Sequence, residues 1–86
     1  MGNYSENIKQ EKTQLKFWKK ELANKLEELG EINYELFELE SDENTPSDVI
    51  HGKMVEMREL VSEVCNCRYE IEEITSEIAL LKSMED

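Results

Sequence analysis

Two cysteines, one histidine and many carboxylates are the side chains of this chain that could do chemistry. Cys65 and Cys67 flank Asn66. Paired thiols can ligate a metal, bond to each other or act as nucleophiles. The spacing argues against a shared site if the segment is helical, because residues two apart point to different faces. No further Cys or nearby His completes a ligand set. The thiols are therefore assigned to packing and surface, with a Cys65–Cys65 contact across a dimer left open. Two unpaired thiols suit a reducing compartment, and a cytoplasmic protein is expected. His51 is the one histidine, and no Ser, Cys or carboxylate is spaced to make it a triad base. Abundant carboxylates are not a carboxylate pair in a cleft. No phosphate-cradling glycine loop is present. No catalytic residue, no cofactor and no metal site are expected, and the chain is read as not an enzyme.

The run Lys16-Phe17-Trp18-Lys19-Lys20 has the look of a basic–aromatic nucleic-acid patch. Charge speaks against it. The chain has 86 residues, with 10 Lys and Arg against 21 Asp and Glu, for a formal net charge of −11. That field disfavours direct contact with nucleic acid or an anionic membrane. No uncharged run approaches the ~20 residues of a membrane span. The first residues also lack the apolar stretch of a secretory signal, so none is expected.

The elements that must position these residues follow from the one obvious break. Residues Ser41-Asp42-Glu43-Asn44-Thr45-Pro46-Ser47-Asp48 form the stretch richest in turn formers, and its proline cannot continue a helix. The segments on either side are dominated by Glu, Lys, Leu, Ile and Met, mostly good helix formers. One domain over 1–86 is expected, with a helix over about 6–41, a loop over about 42–46 and a helix over about 47–84. Each helix would be about 50 Å long at 1.5 Å per residue. Thr45 is placed to cap the second helix, with Pro46 at its first position and Asp48 completing a capping box. For the first helix Ser5 is a plausible cap, and Asn3 with Glu6 an alternative box. Gly30 falls mid-helix, where it costs about 1 kcal/mol relative to Ala.

Apolar residues recur every seven positions in both halves. In the first they are Ile8, Leu15, Leu22, Leu29 and Leu36, followed three residues on by Glu11, Trp18, Lys25, Ile32 and Leu39. In the second they are Ile50, Met57, Val64, Ile71 and Ile78, with Lys53, Leu60, Cys67, Ile74 and Leu81. These are the a and d rows of a coiled coil, sustained over five heptads per helix. An antiparallel pairing sets each a opposite a d whose number adds with it to 89, as in Ile8 with Leu81, Leu29 with Leu60 and Leu39 with Ile50. The loop this register needs is the one found independently. The fold class is therefore all-α: an antiparallel two-helix coiled-coil hairpin, expected to dimerise into a four-helix bundle. Glu11, Lys25 and Lys53 interrupt the seam. Lys25, opposite Val64, is expected to set register at a cost in stability, while Lys53 near the loop can reach solvent.

The two flanks of the seam differ. In an antiparallel pair g faces g, which sets Glu35 beside Glu56, Glu28 beside Glu63 and Glu21 beside Glu70. Three rungs of like charge run up this edge, and the hairpin is expected to gain nothing electrostatic from them. Acidity also grows toward the loop. Residues 1–25 carry +3, residues 26–62 carry −9 and residues 63–86 carry −5. The opposite edge is apolar at Leu26, Met54 and Val61, with Ala23, Gly30 and Phe37 beside it, Tyr34 behind, and Cys65 and Val55 extending it. A single seam cannot cover that surface, and two helices bury little by themselves. An oligomer interface is expected through Leu26, Tyr34, Phe37, Met54, Val61 and Cys65, with a homodimer preferred because closed symmetric dimers are the commonest oligomers.

The acidic edge suggests what the protein is for. A fixed row of carboxylates can imitate phosphates in sign and rough spacing. In size, charge and shape the chain resembles the small acidic proteins with which phages and mobile elements inhibit host enzymes, defence nucleases among them. The resemblance is one of physical character and rests on no sequence motif. It implies a non-enzymatic protein–protein interaction module, an acidic regulator or nucleic-acid mimic. Its rim of Glu21, Glu28, Glu35, Glu56, Glu63 and Glu70 would meet a basic, nucleic-acid-binding surface of a protein partner. The competing expectation is a structural coiled-coil adaptor, chaperone or assembly subunit, which needs only the heptads and the apolar edge.

Overall fold

A computed structural model describes residues 3–85, with side chains from 4 to 84. It is a hairpin of two helices, α1 (Asn3–Ser41) and α2 (Ser47–Glu85), measuring 67 × 14 × 13 Å. α1 starts three residues earlier than its sequence signals implied. Ser5 lies inside the first turn and is not the cap; the side chain of Asn3 lies outside the described residues. Glu6 in the first turn complements the positive end of the helix dipole.

The turn is organised by Asp42. Its carboxylate Oδ1 accepts from the Asn44 amide at 2.9 Å, and its carbonyl accepts from the Thr45 amide at 3.2 Å. A side chain that copies a backbone turn is why Asp suits this place. The Ser41 hydroxyl donates back to the Phe37 carbonyl, one turn earlier in α1, at 2.8 Å. The Pro46 carbonyl accepts from the amides of Val49 and Ile50, at 3.1 and 3.4 Å. Pro46 therefore stands just before the helix, at the capping position, and Ser47 takes the first helical place. The expected box between Thr45 and Asp48 is not made. A proline here is no strain, because the amide it lacks has no partner inside the helix.

The predicted seam is the seam that forms. Every residue of the four heptad rows is buried or half-buried. Ile8, Ile74, Ile78 and Leu81 pack as one cluster, with Tyr4, Leu15 and Trp18 against it. This joins the start of α1 to the end of α2, as the antiparallel register requires. Tyr4 extends the d row by one heptad and was legible from its position seven before Glu11. Cys67 and Leu36 are the most completely covered side chains, at 3% and 4% exposure. No described side chain falls below 2%. The core is one layer deep, so stability rests on the whole length of the seam. Gly30 and Gly52 both lie in regular helix, with open space where a Cβ would stand.

Candidate functional site

The thiols divide as the helical spacing required: Cys67 is buried in the seam, and Cys65 is exposed beside it. Among the described residues no group of three or more His, Cys, Asp and Glu is placed to hold a metal ion. Among the same residues no helix is long and apolar enough to cross a membrane. Trp18 is half-buried against the terminal cluster, with Phe17 edge-on to it at a centroid distance of 5.3 Å and 80° between planes. The tryptophan of the basic–aromatic run is thus occupied in packing. Lys16, Lys19 and Lys20 remain exposed.

The acidic edge needs a correction. Its three rungs are not uniformly bare, because both seam lysines lean onto it. Lys53 lies between the two carboxylates of the rung nearest the loop, 2.6 Å from Glu35 and 3.3 Å from Glu56. Lys25 lies 3.5 Å from Glu63 of the middle rung. A d position sits on the g side of the helix, so a long side chain rooted in the seam can bury its stem and set its ammonium over that edge. The lysines are therefore clasps as well as interruptions. Each ties α1 to α2 across the seam.

Glu21, Glu28 and Glu70 make no ion pair among the described residues. The d position at the Glu21–Glu70 level is Trp18, which offers no charge. Glu21 and Glu70 are also the only two of the six rim glutamates that are half-buried; the other four are exposed. The rung nearest the termini is thus the more covered one, and it has no ion pair among the described residues.

The two glutamates beside Lys53 hold its ammonium above its ordinary pKa of 10.5, the Glu35 hydrogen bond contributing most and the Glu56 bond next. A raised folded-state pKa means that the clasp contributes its full stability below 10.5, where the unfolded lysine is also charged. That contribution is lost as pH rises through the folded value. Alkaline titration should therefore lower the thermal midpoint of the wild type more than that of Lys53→Met. Equal slopes in the two proteins would show that the clasp does not hold in solution.

On the opposite edge all six residues expected at an interface are exposed: Leu26, Tyr34, Phe37, Met54 and Val61 at 37–69%, with Cys65. They do not form one surface. Leu26 and Val61 line a shallow groove with Gly30, Asn33 and Met57. Phe37 and Met54 line a second groove, which shares Asn33 and Met57 with the first. The two make a continuous channel along the loop-proximal half of the hairpin. Tyr34 lies outside it, because its heptad position faces away from both seam and edge, and Val55 shares that outer position. Toward the termini the same edge turns basic, through Lys12, Lys19 and Arg68.

Comparison with protein-family models, with curated proteins and with solved structures returned no match.

Proposed function

We propose that the hairpin is an acidic binding module that occupies a basic, nucleic-acid-binding surface of a protein partner through its rim of Glu21, Glu28, Glu35, Glu56, Glu63 and Glu70. The observation that carries this reading is the incomplete clasp. Two lysines serve Glu35, Glu56 and Glu63, and among the described residues no ion pair is made by Glu21, Glu28 or Glu70. A surface meant only to keep the chain in solution has no need to crowd carboxylates into rungs. Successive glutamates on one helix stand about 10 Å apart, and the second helix sets another beside each, giving a ladder of paired negative charge. The rim acts by occupancy. It would draw the partner in over long range and hold a site that nucleic acid needs. The unpaired thiols agree with action in a reducing, cytoplasmic setting.

The test follows the clasps. Reversing Glu35 or Glu63 would set lysine against lysine across the hairpin, and reversing Glu56 would do so along α2, so these three are left in place. Glu21→Lys, Glu28→Lys and Glu70→Lys together are expected to preserve helicity. They should weaken capture of the partner from the cells that make the protein, or from the cells it invades, by at least about tenfold. Capture by the wild type should fall steeply between about 0.05 and 0.5 M salt. Undiminished, salt-insensitive capture by the triple variant would eliminate this reading. A loss confined to Phe37→Ser and Val61→Ser would instead support a structural adaptor, the reading favoured by the exposed apolar channel.

A further inference from the structure

We propose that a second copy of this chain covers the apolar channel, and that the two hairpins lie antiparallel, each basic rung set against the other's acidic loop. The orientation follows from where charge stands along one edge. The channel runs from Leu26 and Val61 to Phe37 and Met54 and is centred near Gly30 and Met57. Lys19 lies eleven residues from Gly30 on the terminal side, with Arg68 across the seam at the same level. Glu40 lies ten residues from Gly30 on the loop side and lines the channel's end, with Glu43 in the turn beyond. At 1.5 Å per residue these distances are about 16 and 15 Å.

A two-fold axis across the hairpin at its channel centre therefore exchanges the basic rung with the acidic end. Lys19 of each copy meets Glu40 of the other, and Arg68 meets the turn that carries Glu43. The apolar residues match under the same operation. Phe37, 69% exposed, comes over Ala23 and Leu26 of the second copy, and Met54 comes over Val61. Gly30 falls near the axis, and its missing side chain with nothing within 4 Å lets the two α1 helices approach. A parallel arrangement has the opposite character. It would superimpose Lys19 and Arg68 of one copy on the same pair of the other, and loop acids on loop acids. Both glutamate rims face outward in the antiparallel dimer, so the inference does not depend on what the rims bind.

A charge exchange tests the orientation. Two double variants are needed, Lys19→Glu with Arg68→Glu and Glu40→Lys with Glu43→Lys. Each alone places like charges at both ends of its dimer, and sedimentation equilibrium should show dimer dissociation constants raised by about tenfold or more. Mixed in equal amounts, they restore opposite charges at both ends, and dimers should return with an affinity near that of the wild type. Circular dichroism of each variant separates loss of association from loss of fold. If either fails to fold, Gly30→Cys in a Cys65→Ser background gives a second reading. A short bis-maleimide should link Gly30→Cys to its symmetry mate. A wild-type chain that stays monomeric, variants that dimerise undisturbed, a mixture that shows no recovery, or no cross-link would each overturn the proposal.

Discussion

Ile74→Ala is expected to leave the isolated chain largely unfolded at ambient temperature. Ile74 is 6% exposed and sits in the cluster that fastens the start of α1 to the end of α2, against Ile8, Ile78 and Leu81. Truncating a buried aliphatic side chain costs about 2–4 kcal/mol, the lost transfer energy plus that of the space left behind. A core of this size supplies only about 3–5 kcal/mol in total. The loss is therefore comparable to the whole stability. Ile74→Val, which removes one methylene, should cost about 0.5–1.5 kcal/mol and leave a shifted but cooperative transition. Leu80 is 54% exposed on the outer side of the same helix, and Leu80→Ala should stay within about 0.5 kcal/mol of wild type. Urea titration followed by far-UV circular dichroism ranks the three. Equal losses at Ile74 and Leu80 would mean that the seam runs along a different face of α2.

The two thiols should differ in reaction rate with a neutral thiol reagent by about a hundredfold or more. Cys65 stands in solvent and reacts without any opening of the fold, whereas Cys67, at 3% exposure, must wait for the seam to part. If parting is close to global, the slowing equals the folded-to-unfolded ratio, and about 3–5 kcal/mol corresponds to a factor of roughly 10² to 10⁴. Mass spectrometry of Cys65→Ser and Cys67→Ser under native conditions reads each rate separately, and both should become fast in denaturant. Similar native rates would place residues 65 and 67 on faces that are equally open, which the antiparallel seam forbids. The experiment also bears on the proposed dimer, since Cys65 lies beside the apolar edge.

These results depend on a fold whose main lines are written in the chain. The period of seven, the constant pairing number and the turn formers around Pro46 act through local geometry and apolar burial, so each half of the sequence prescribes its helix and its face. The same signals located the exposed apolar edge and separated Cys65 from Cys67. The helix starts were less legible. Thr45 and Pro46 satisfy capping rules at more than one offset, and only the closed turn, with Asp42 accepting two amides, selects one. Ser5 failed as a cap because Tyr4 finds a place on the cluster of Ile8, Ile74, Ile78 and Leu81, which draws α1 back past it.

What the sequence by itself determined is the hairpin, its register and the sign of each edge, because side chains fixed to a regular helix inherit their direction from its period. What only the tertiary structure decided is which of those charges remain unanswered. Lys25 and Lys53 read in the sequence as flaws in an apolar row. A lysine stem has four rotatable bonds and takes a direction only when a facing helix supplies an acceptor. Here that helix brings Glu63 to Lys25 and Glu35 to Lys53, which leaves Glu21, Glu28 and Glu70 with no ion pair among the described residues.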